Sequence, residues 1–367
     1  MSPSLWTQVL GVSVRTWACV VISLLFCFRV YRNFGCLKQE LEILADSHVK
    51  LQQTFVNSKL KSSLVSISSD ESADNIYWSK KGAKARDDAI ILYNRVPKTG
   101  STSFARLTLD LCTINGFSSI YVNISHCERV LSLANQMKFI TNITNWDEAK
   151  PAVYHGHMPF IDFTRFGIKK RPIYINLIRE PLDRFMSYYY FLRFGDDFRP
   201  DKIRRRSGNN ETFDECVARG GRSCRPEKLW LQVPYFCGHH PACRRAGSEW
   251  ALEEAKRNLF HHYLVVGITE DFLSFLSVLE VALPRFYRGA TALFEKGRNT
   301  QLRKTSKKLP PLPETVKKIK ESNIYRLERK FYDFAVEQFR IIKYEILNDR
   351  LKEGDKFLFQ NIEPKTV

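Results

Sequence analysis

Residues 89–104 read Ala89-Ile-Ile-Leu-Tyr93-Asn-Arg-Val-Pro-Lys98-Thr-Gly-Ser-Thr-Ser-Phe104. The first five form a short apolar run with β-branched and aromatic members, which suits a buried strand. Pro97 and Gly100 then mark a turn over residues 95–101, and a helix is expected over 102–112. A second unit of the same kind follows at Pro172-Ile-Tyr-Ile-Asn-Leu-Ile178. It leads through Arg179-Glu-Pro181 into a helix containing Arg184 and Tyr188. Pro181 would sit in the first helical turn, where its missing N–H is no loss. Strand, phosphate-sized turn and helix, met twice, predict an α/β domain with a parallel sheet flanked by helices. That domain is expected over 87–350, with further helices at 250–260, 270–283 and 313–347.

The two turns also carry chemistry. In the first, Lys98 stands at the bend and Thr99, Gly100, Ser101, Thr102 and Ser103 open the helix. Backbone N–H groups at a helix N-terminus bind phosphate, and a Lys adds a point charge. The segment lacks the GxxxxGK spacing of a Walker loop, which disfavours a kinase or NTPase. A capped helix with an incidental Lys is the non-functional alternative. In the second turn Arg179 ends the strand and Ser187 lies two helical turns on, so both can reach one phosphate. Arg184 and Arg193 equally suit a solvated charged face. The third feature is Tyr154-His-Gly-His157, where a His at a strand end suits a general base. Two histidines flanking Gly also suit a metal, although a third ligand is lacking unless Asp162 serves.

Composition narrows the partner and the compartment. Lys and Arg number 57 against 39 Asp and Glu, a surplus of 18 positive charges. Such a field attracts polyanions: nucleic acid, anionic lipid or sulfated polysaccharide. Cys216, Cys224, Cys237 and Cys243 cluster in one region. Their spacing permits two local loops but leaves three disulfide connectivities open, with a zinc site as the rival. Disulfides are favoured because no CxxC pair occurs and an oxidising lumen fits the N-terminus. Sequons at Asn123, Asn142 and Asn210 agree with a lumenal location.

The N-terminus is expected to hold a short cytosolic tail (1–9) and an uncleaved signal anchor (10–31) in which Arg15 snorkels. Arg29, Arg32 and Lys38 follow the span, a charge balance that by itself favours a cytosolic C-terminal side. The cysteine pattern and the chemistry outweigh it. Residues 32–86 read as a stem, part coiled coil: Leu37, Leu41, Leu44, His48, Leu51 and Phe55 form an a/d seam, which equally suits a single amphipathic helix, and a Ser-rich charged stretch follows. Residues 351–367 are a C-terminal tail.

Taken together, Tyr93–Phe104, Tyr154–His157, Ile173–Arg179 and Ser187-Tyr-Tyr-Tyr-Phe-Leu-Arg-Phe-Gly-Asp-Asp197 resemble the heparan sulfate 2-O-sulfotransferases of the uronyl 2-O-sulfotransferase family. So do Phe213–Cys216, Pro226–Gln232 and Tyr235–Gly238. The likeness spans residues 90–339. It implies an α/β sulfotransferase fold with a P-loop-like phosphosulfate loop that uses 3′-phosphoadenosine 5′-phosphosulfate (PAPS), with no metal. It also implies a type II Golgi membrane protein, with a lumenal catalytic domain, that forms a homotrimer and acts on heparan sulfate.

By the same resemblance Lys98, Thr99, Gly100, Ser101 and Thr102 hold the 5′-phosphosulfate, while Arg179 and Ser187 hold the 3′-phosphate. Thr300, Arg303, Thr305 and Lys307 form a further donor-binding segment. His157 is the catalytic base and His155 its neighbour; Arg95, Arg199 and Arg204 contact the anionic acceptor. The resemblance pairs Cys216 with Cys224 and Cys237 with Cys243. The chain departs from the family at Gly100, where Ala is familiar, and at Leu109, Tyr121 and Phe294. Residues 305–309 are one residue shorter than the family's segment, and residues 1–85 carry no matching motif.

The implied reaction suits the residues independently. Sulfuryl transfer removes a proton from a hydroxyl while charge grows on a leaving phosphate oxygen. Imidazole titrates near neutrality and suits the first role. Lys98 with helix-terminal N–H groups suits the second. Two alternatives remain: 2-O-sulfation of dermatan or chondroitin sulfate, and a non-enzymatic polyanion-binding membrane protein. The latter gives no reason for two phosphate turns and should ignore adenosine 3′,5′-bisphosphate. Nucleic-acid binding is disfavoured by the anchor and cysteines.

Overall fold

The first apolar run is β1 (Ile90–Asn94), and every residue of it is buried, as expected of a central strand covered on both faces. A computed structural model describes residues 88–124, 130–168, 171–197, 210–297 and 304–351. The expected tails, anchor and stem fall outside the described residues. Among those described, no helix is long and apolar enough to cross a membrane.

After β1, helix α1 (Ser101–Asn115) leads to β2 (Ser118–Val122), and α2 (Leu133–Asn145) leads to β3 (Ala152–Gly156). Strand β4 (Ile173–Ile178) is followed by α3 (Pro181–Phe194), α4 (Phe213–Arg219), α5 (Gln232–Cys237) and α6 (Glu249–His262). Strand β5 (Tyr263–Ile268) precedes α7 (Phe272–Ala282), α8 (Pro284–Tyr287), α9 (Ala290–Lys296), α10 (Pro313–Lys320) and α11 (Asn323–Leu351). All pairings are parallel, in the order β2-β3-β1-β4-β5. The chain leaves β1 toward β2 and leaves β4 toward β5, in opposite directions along the sheet. The carboxyl ends of β1 and β4 are therefore the topological switch point, where open α/β sheets bind ligands. Both expected phosphate turns lie there.

Period-two alternation along β1 sends its side chains into separate clusters. Tyr93 meets Phe104 of α1 edge-on at 4.9 Å, and Phe104 packs on Phe275 of α7 and stacks on Tyr287 of α8. Leu92 joins the opposite cluster with Tyr154, Tyr174, Tyr263, Phe236 and Phe331, which seats α11 against the sheet. The single helix expected at 313–347 is two. Ser322 Oγ donates to the Ile319 carbonyl at 2.7 Å and accepts from the Tyr325 amide at 3.2 Å, so it closes α10 and caps α11.

Cys216 is bonded to Cys224 and Cys237 to Cys243, while Cys112 is free. These bonds take the thiols a zinc site would need. His239, between Cys237 and Cys243 in the sequence, accepts the Leu131 amide on Nδ1 at 2.9 Å. Among the described residues no cluster of His, Cys, Asp and Glu is arranged to hold a metal.

Candidate active site

The first turn bends through two left-handed residues, Lys98 at φ 69° and Gly100 at φ 74°. Glycine takes this conformation without strain, whereas Lys98 adopts it at a cost, a common sign of a functional constraint. Thr99 Oγ1 donates to the Val96 carbonyl at 3.0 Å and locks the bend from inside. Gly100 is the N-cap of α1 and has no side chain with which to cap it, and Gly100, Ser101, Thr102 and Ser103 line the cleft. The N-terminus of α1, with the positive end of the helix dipole, therefore lies at the cleft wall. Lys98 Nζ lies 3.9 Å above the Phe191 ring, so the ammonium is held at the cleft wall by a cation–π contact.

One cleft is lined by Lys98, Gly100, Ser101, Thr102, Ser103, His157, Arg179, Ser187, Tyr188, Phe191 and Asp196, among others. The two turns and the His-Gly-His segment, well separated in sequence, thus share one wall. Ser187 Oγ is 2.8 Å from Thr305 Oγ1, which brings the C-terminal segment to the second turn. Lys307 is exposed, has φ 53°, and holds Nζ 5.2 Å over the Phe194 ring rather than on the cleft wall. Thr300, Arg303, Arg199 and Arg204 lie outside the described residues.

The two histidines differ. His157 Nδ1 lies 2.8 Å from the Arg95 carbonyl oxygen. A carbonyl only accepts, so Nδ1 carries the hydrogen, and in the neutral ring Nε2 keeps its lone pair. That arrangement gives a base. His155 is buried in β3, with Nδ1 at 3.5 Å from Arg95 Nη1. Burial, then the charge of Arg95, then His157 lower its pKa to about 4. A neutral His155 therefore accepts from Arg95, and its ring meets exposed Tyr121 at 5.6 Å. Gly156 separates the two rings because a Cβ there would collide with the Val122 carbonyl oxygen.

Arg95 is 7% exposed. Its second terminal nitrogen donates to Thr102 Oγ1 at 3.3 Å, and its Nε has no partner among the described residues. Burial lowers its pKa from an ordinary arginine's, against smaller opposing pulls from Tyr93, Tyr121 and Tyr235. A guanidinium kept in a dry site with an unsatisfied donor fits a bound anion. Arg184, in contrast, is neither solvated nor in the cleft. It is fully buried and donates to the Leu229 carbonyl at 2.8 Å, near Glu328, whose carboxyl burial raises to about 7.

Sequence reading missed three supports. Thr269 Oγ1, just past β5, lies 3.0 Å from the Thr99 carbonyl and 2.8 Å from the Ile178 carbonyl, tying both turns. Asn94 and Asn176 are fully buried and hydrogen-bond beneath the site, with the Tyr263 hydroxyl on Asn94 Oδ1 at 2.9 Å. An Asn near the end of each apolar strand was the only available signal. The third support is Gln232, whose side-chain amide brackets the backbone of Arg179.

Residues 83–335 match the Sulfotransferase family. Heparan sulfate 2-O-sulfotransferase 1 of Gallus gallus is 44% identical over 334 residues, covering 90% of this chain and 92% of the relative. That span reaches into the N-terminal region, where no motif had matched. Heparan sulfate 2-O-sulfotransferase 1 of Pongo abelii is 50% identical over 286 residues, covering 76% of this chain and 80% of its own. The heparin sulfate O-sulfotransferase of Drosophila melanogaster is 48% identical over 276 residues, 75% of this chain and 79% of its own.

Proposed function

The chain belongs to the sulfotransferase family, and on that premise we propose that it transfers a sulfuryl group from PAPS to the 2-hydroxyl of uronic acid, mainly iduronic acid, in heparan sulfate. The relatives named heparan sulfate 2-O-sulfotransferase 1, similar over most of both chains, support this acceptor over dermatan or chondroitin sulfate. The observation that carries the reading is the meeting, on one cleft wall, of His157 with the Lys98 turn and the N-terminus of α1.

PAPS supplies an already activated sulfuryl group, so the reading requires no metal. His157 takes the proton of the acceptor hydroxyl on Nε2, while the Arg95 carbonyl holds its other nitrogen. Lys98 and the first N–H groups of α1, with Thr99, Ser101 and Thr102, neutralise charge as it grows on the leaving phosphate. Arg179 and Ser187, with Thr305, hold the 3′-phosphate. Thr300 and Arg303, from the same segment as Thr305, complete the donor side, while Lys307 stands over Phe194 away from the cleft wall, and Arg95, Arg199 and Arg204 hold the acid groups of the polysaccharide. His155 keeps Arg95 in place.

The reading extends to a Golgi protein anchored by residues 10–31, assembled as a homotrimer, with the catalytic domain in the lumen. Its two disulfides and the exposure of Asn123, Asn142 and Asn210 support the lumenal side. The test is disaccharide analysis after incubation with PAPS and heparan sulfate lacking 2-O-sulfate. A 2-O-sulfated uronyl–glucosamine product is expected. Sulfate appearing only on glucosamine, or on dermatan but not heparan chains, would overturn the reading.

A further inference from the structure

Arg179 follows β4 directly, and α3 begins at Pro181. Its backbone therefore lies past the sheet ladder, which ends at Ile178 paired with Ile268, and before the helix. A backbone N–H and C=O left in such a gap need partners. One side chain supplies both. The Arg179 N–H donates to Gln232 Oε1 at 3.0 Å, and Gln232 Nε2 donates to the Arg179 carbonyl at 2.9 Å. The amide acts as one further residue of a strand beside β4. Gln232 is fully buried.

Gln232 is itself held. It opens α5, whose N-cap Leu231 offers no side-chain cap. Glu328 of α11 caps the helix instead. Its carboxylate accepts from the Leu231 amide at 2.7 Å, the Val233 amide at 3.1 Å and the Gln232 amide at 3.3 Å. The next turn residue is fixed the same way. The Glu180 N–H donates to Glu270 at 2.9 Å, and Tyr332 of α11 donates to the other oxygen of Glu270 at 3.1 Å. Tyr325 of α11 donates to the Glu180 carboxylate at 2.9 Å. The positions 325, 328 and 332 lie on one helical face.

The geometry points to Gln232 as a positioning residue that sets selectivity for the 3′-phosphate, by fixing the backbone from which the Arg179 guanidinium enters the cleft. The inference rests on the reading that Arg179 holds the 3′-phosphate. A guanidinium discriminates by directional hydrogen bonds, so its value depends on where its backbone is pinned.

The test uses the full chain and calorimetry with adenosine 3′,5′-bisphosphate and adenosine 5′-monophosphate. The ratio of the two dissociation constants reads the 3′-phosphate contact alone, and it does not change with the fraction of protein that is folded. Arg179→Ala is expected to collapse the ratio. Gln232→Met, which keeps the volume and removes both hydrogen bonds, is expected to lower it about tenfold, with turnover at saturating PAPS changed far less than the KM for PAPS. Gln232→Glu, which can still accept the Arg179 N–H, should fall between. In the Arg179→Ala background, Gln232→Met should do nothing more to the ratio. An unchanged ratio in Gln232→Met while Arg179→Ala lowers it overturns the inference alone. An unchanged ratio in Arg179→Ala overturns the phosphate assignment and the inference with it. If Gln232→Met does not fold, the Gln232→Glu ratio decides: a wild-type value overturns the inference.

Discussion

The two phosphate turns leave adjacent strands, face one cleft and are built in opposite ways. The first is local. Its shape comes mainly from two left-handed residues, one internal threonine bond and the start of the helix it opens, all between Val96 and Ser101, with a distant tie from Thr269 that also reaches the other turn. The second is held from far away, by Gln232 at 53 residues' separation, Glu270 at 90 and Tyr325 at 145. The difference matches the roles proposed for them. A turn that meets charge developing in a transition state needs dipoles fixed before the reaction begins, and a short strained loop provides them. A turn that grips a phosphate whose charge never changes needs only an accurately placed cation, which the packed core can position.

The comparison breaks most readily at His157, which hangs from the first turn through the Arg95 carbonyl. His157→Ala should lower turnover by roughly 10²–10⁴-fold, the usual scale for losing positioned proton transfer, with nucleotide affinity intact. A well-folded variant keeping more than a tenth of the activity would remove His157 as base and leave His155 next. Lys98→Ala should cost about 10²–10³-fold in turnover and also weaken PAPS binding, because its charge faces the donor in ground and transition states. Arg179→Ala should instead act on affinity, by about 10–100-fold, with turnover at saturation little changed. Were Lys98→Ala to alter KM alone and Arg179→Ala to alter kcat alone, the division of labour would be reversed.

Thr269→Val sharpens the comparison, since this one hydroxyl serves a carbonyl of each turn. Its one O–H lies within reach of both carbonyls, so removing it takes away the donor they share. The expected loss is about 2 kcal/mol, seen as a melting temperature lower by roughly 4–8 °C for a domain of this size. Affinity for adenosine 3′,5′-bisphosphate should fall in parallel. A stable variant with wild-type affinity would show that the turns are independent.

The same division explains what the sequence could reveal. Strand, turn and helix around Lys98 were legible because the turn's determinants are neighbours in sequence: Pro97, a glycine in a left-handed bend, and hydroxyls after it. The two strands beneath the turns were legible from their apolar runs. Arg179 could be placed at a strand end, but nothing near it betrays Gln232 or Glu328, which belong to helices joined only by packing. Arg184 shows the converse failure: a charged residue three before Ser187 suits an exposed face by sequence, yet its helix buries that face against Leu229 and Glu328. The break between α10 and α11 was missed because a single serine, with no proline or glycine, makes it.

The smallest effect tests the buried histidine, His155, by pH. His155 is buried beside the Arg95 cation, with His157 and Tyr121 near it, and its pKa is lowered to about 4 from 6.5 by burial first and by Arg95 second. The unfolded ring takes a proton as pH falls through 6.5, whereas the folded ring resists until about 4. Across that window the unfolded state binds more protons, so stability falls with acidification and is full above 6.5. His239, lowered to about 4 by burial, adds a loss of the same sign. His155→Gln offers Arg95 an amide oxygen in place of Nδ1 and cannot titrate. Its melting temperature at neutral pH should stay close to wild type, and its fall on acidification should be smaller by roughly 2–4 °C, about 1 kcal/mol. If His155→Gln and wild type lose the same stability between neutrality and acid, His155 is not kept neutral by its surroundings. Its proposed role, an uncharged acceptor that lets Arg95 stay buried at the acceptor side, would then have no basis.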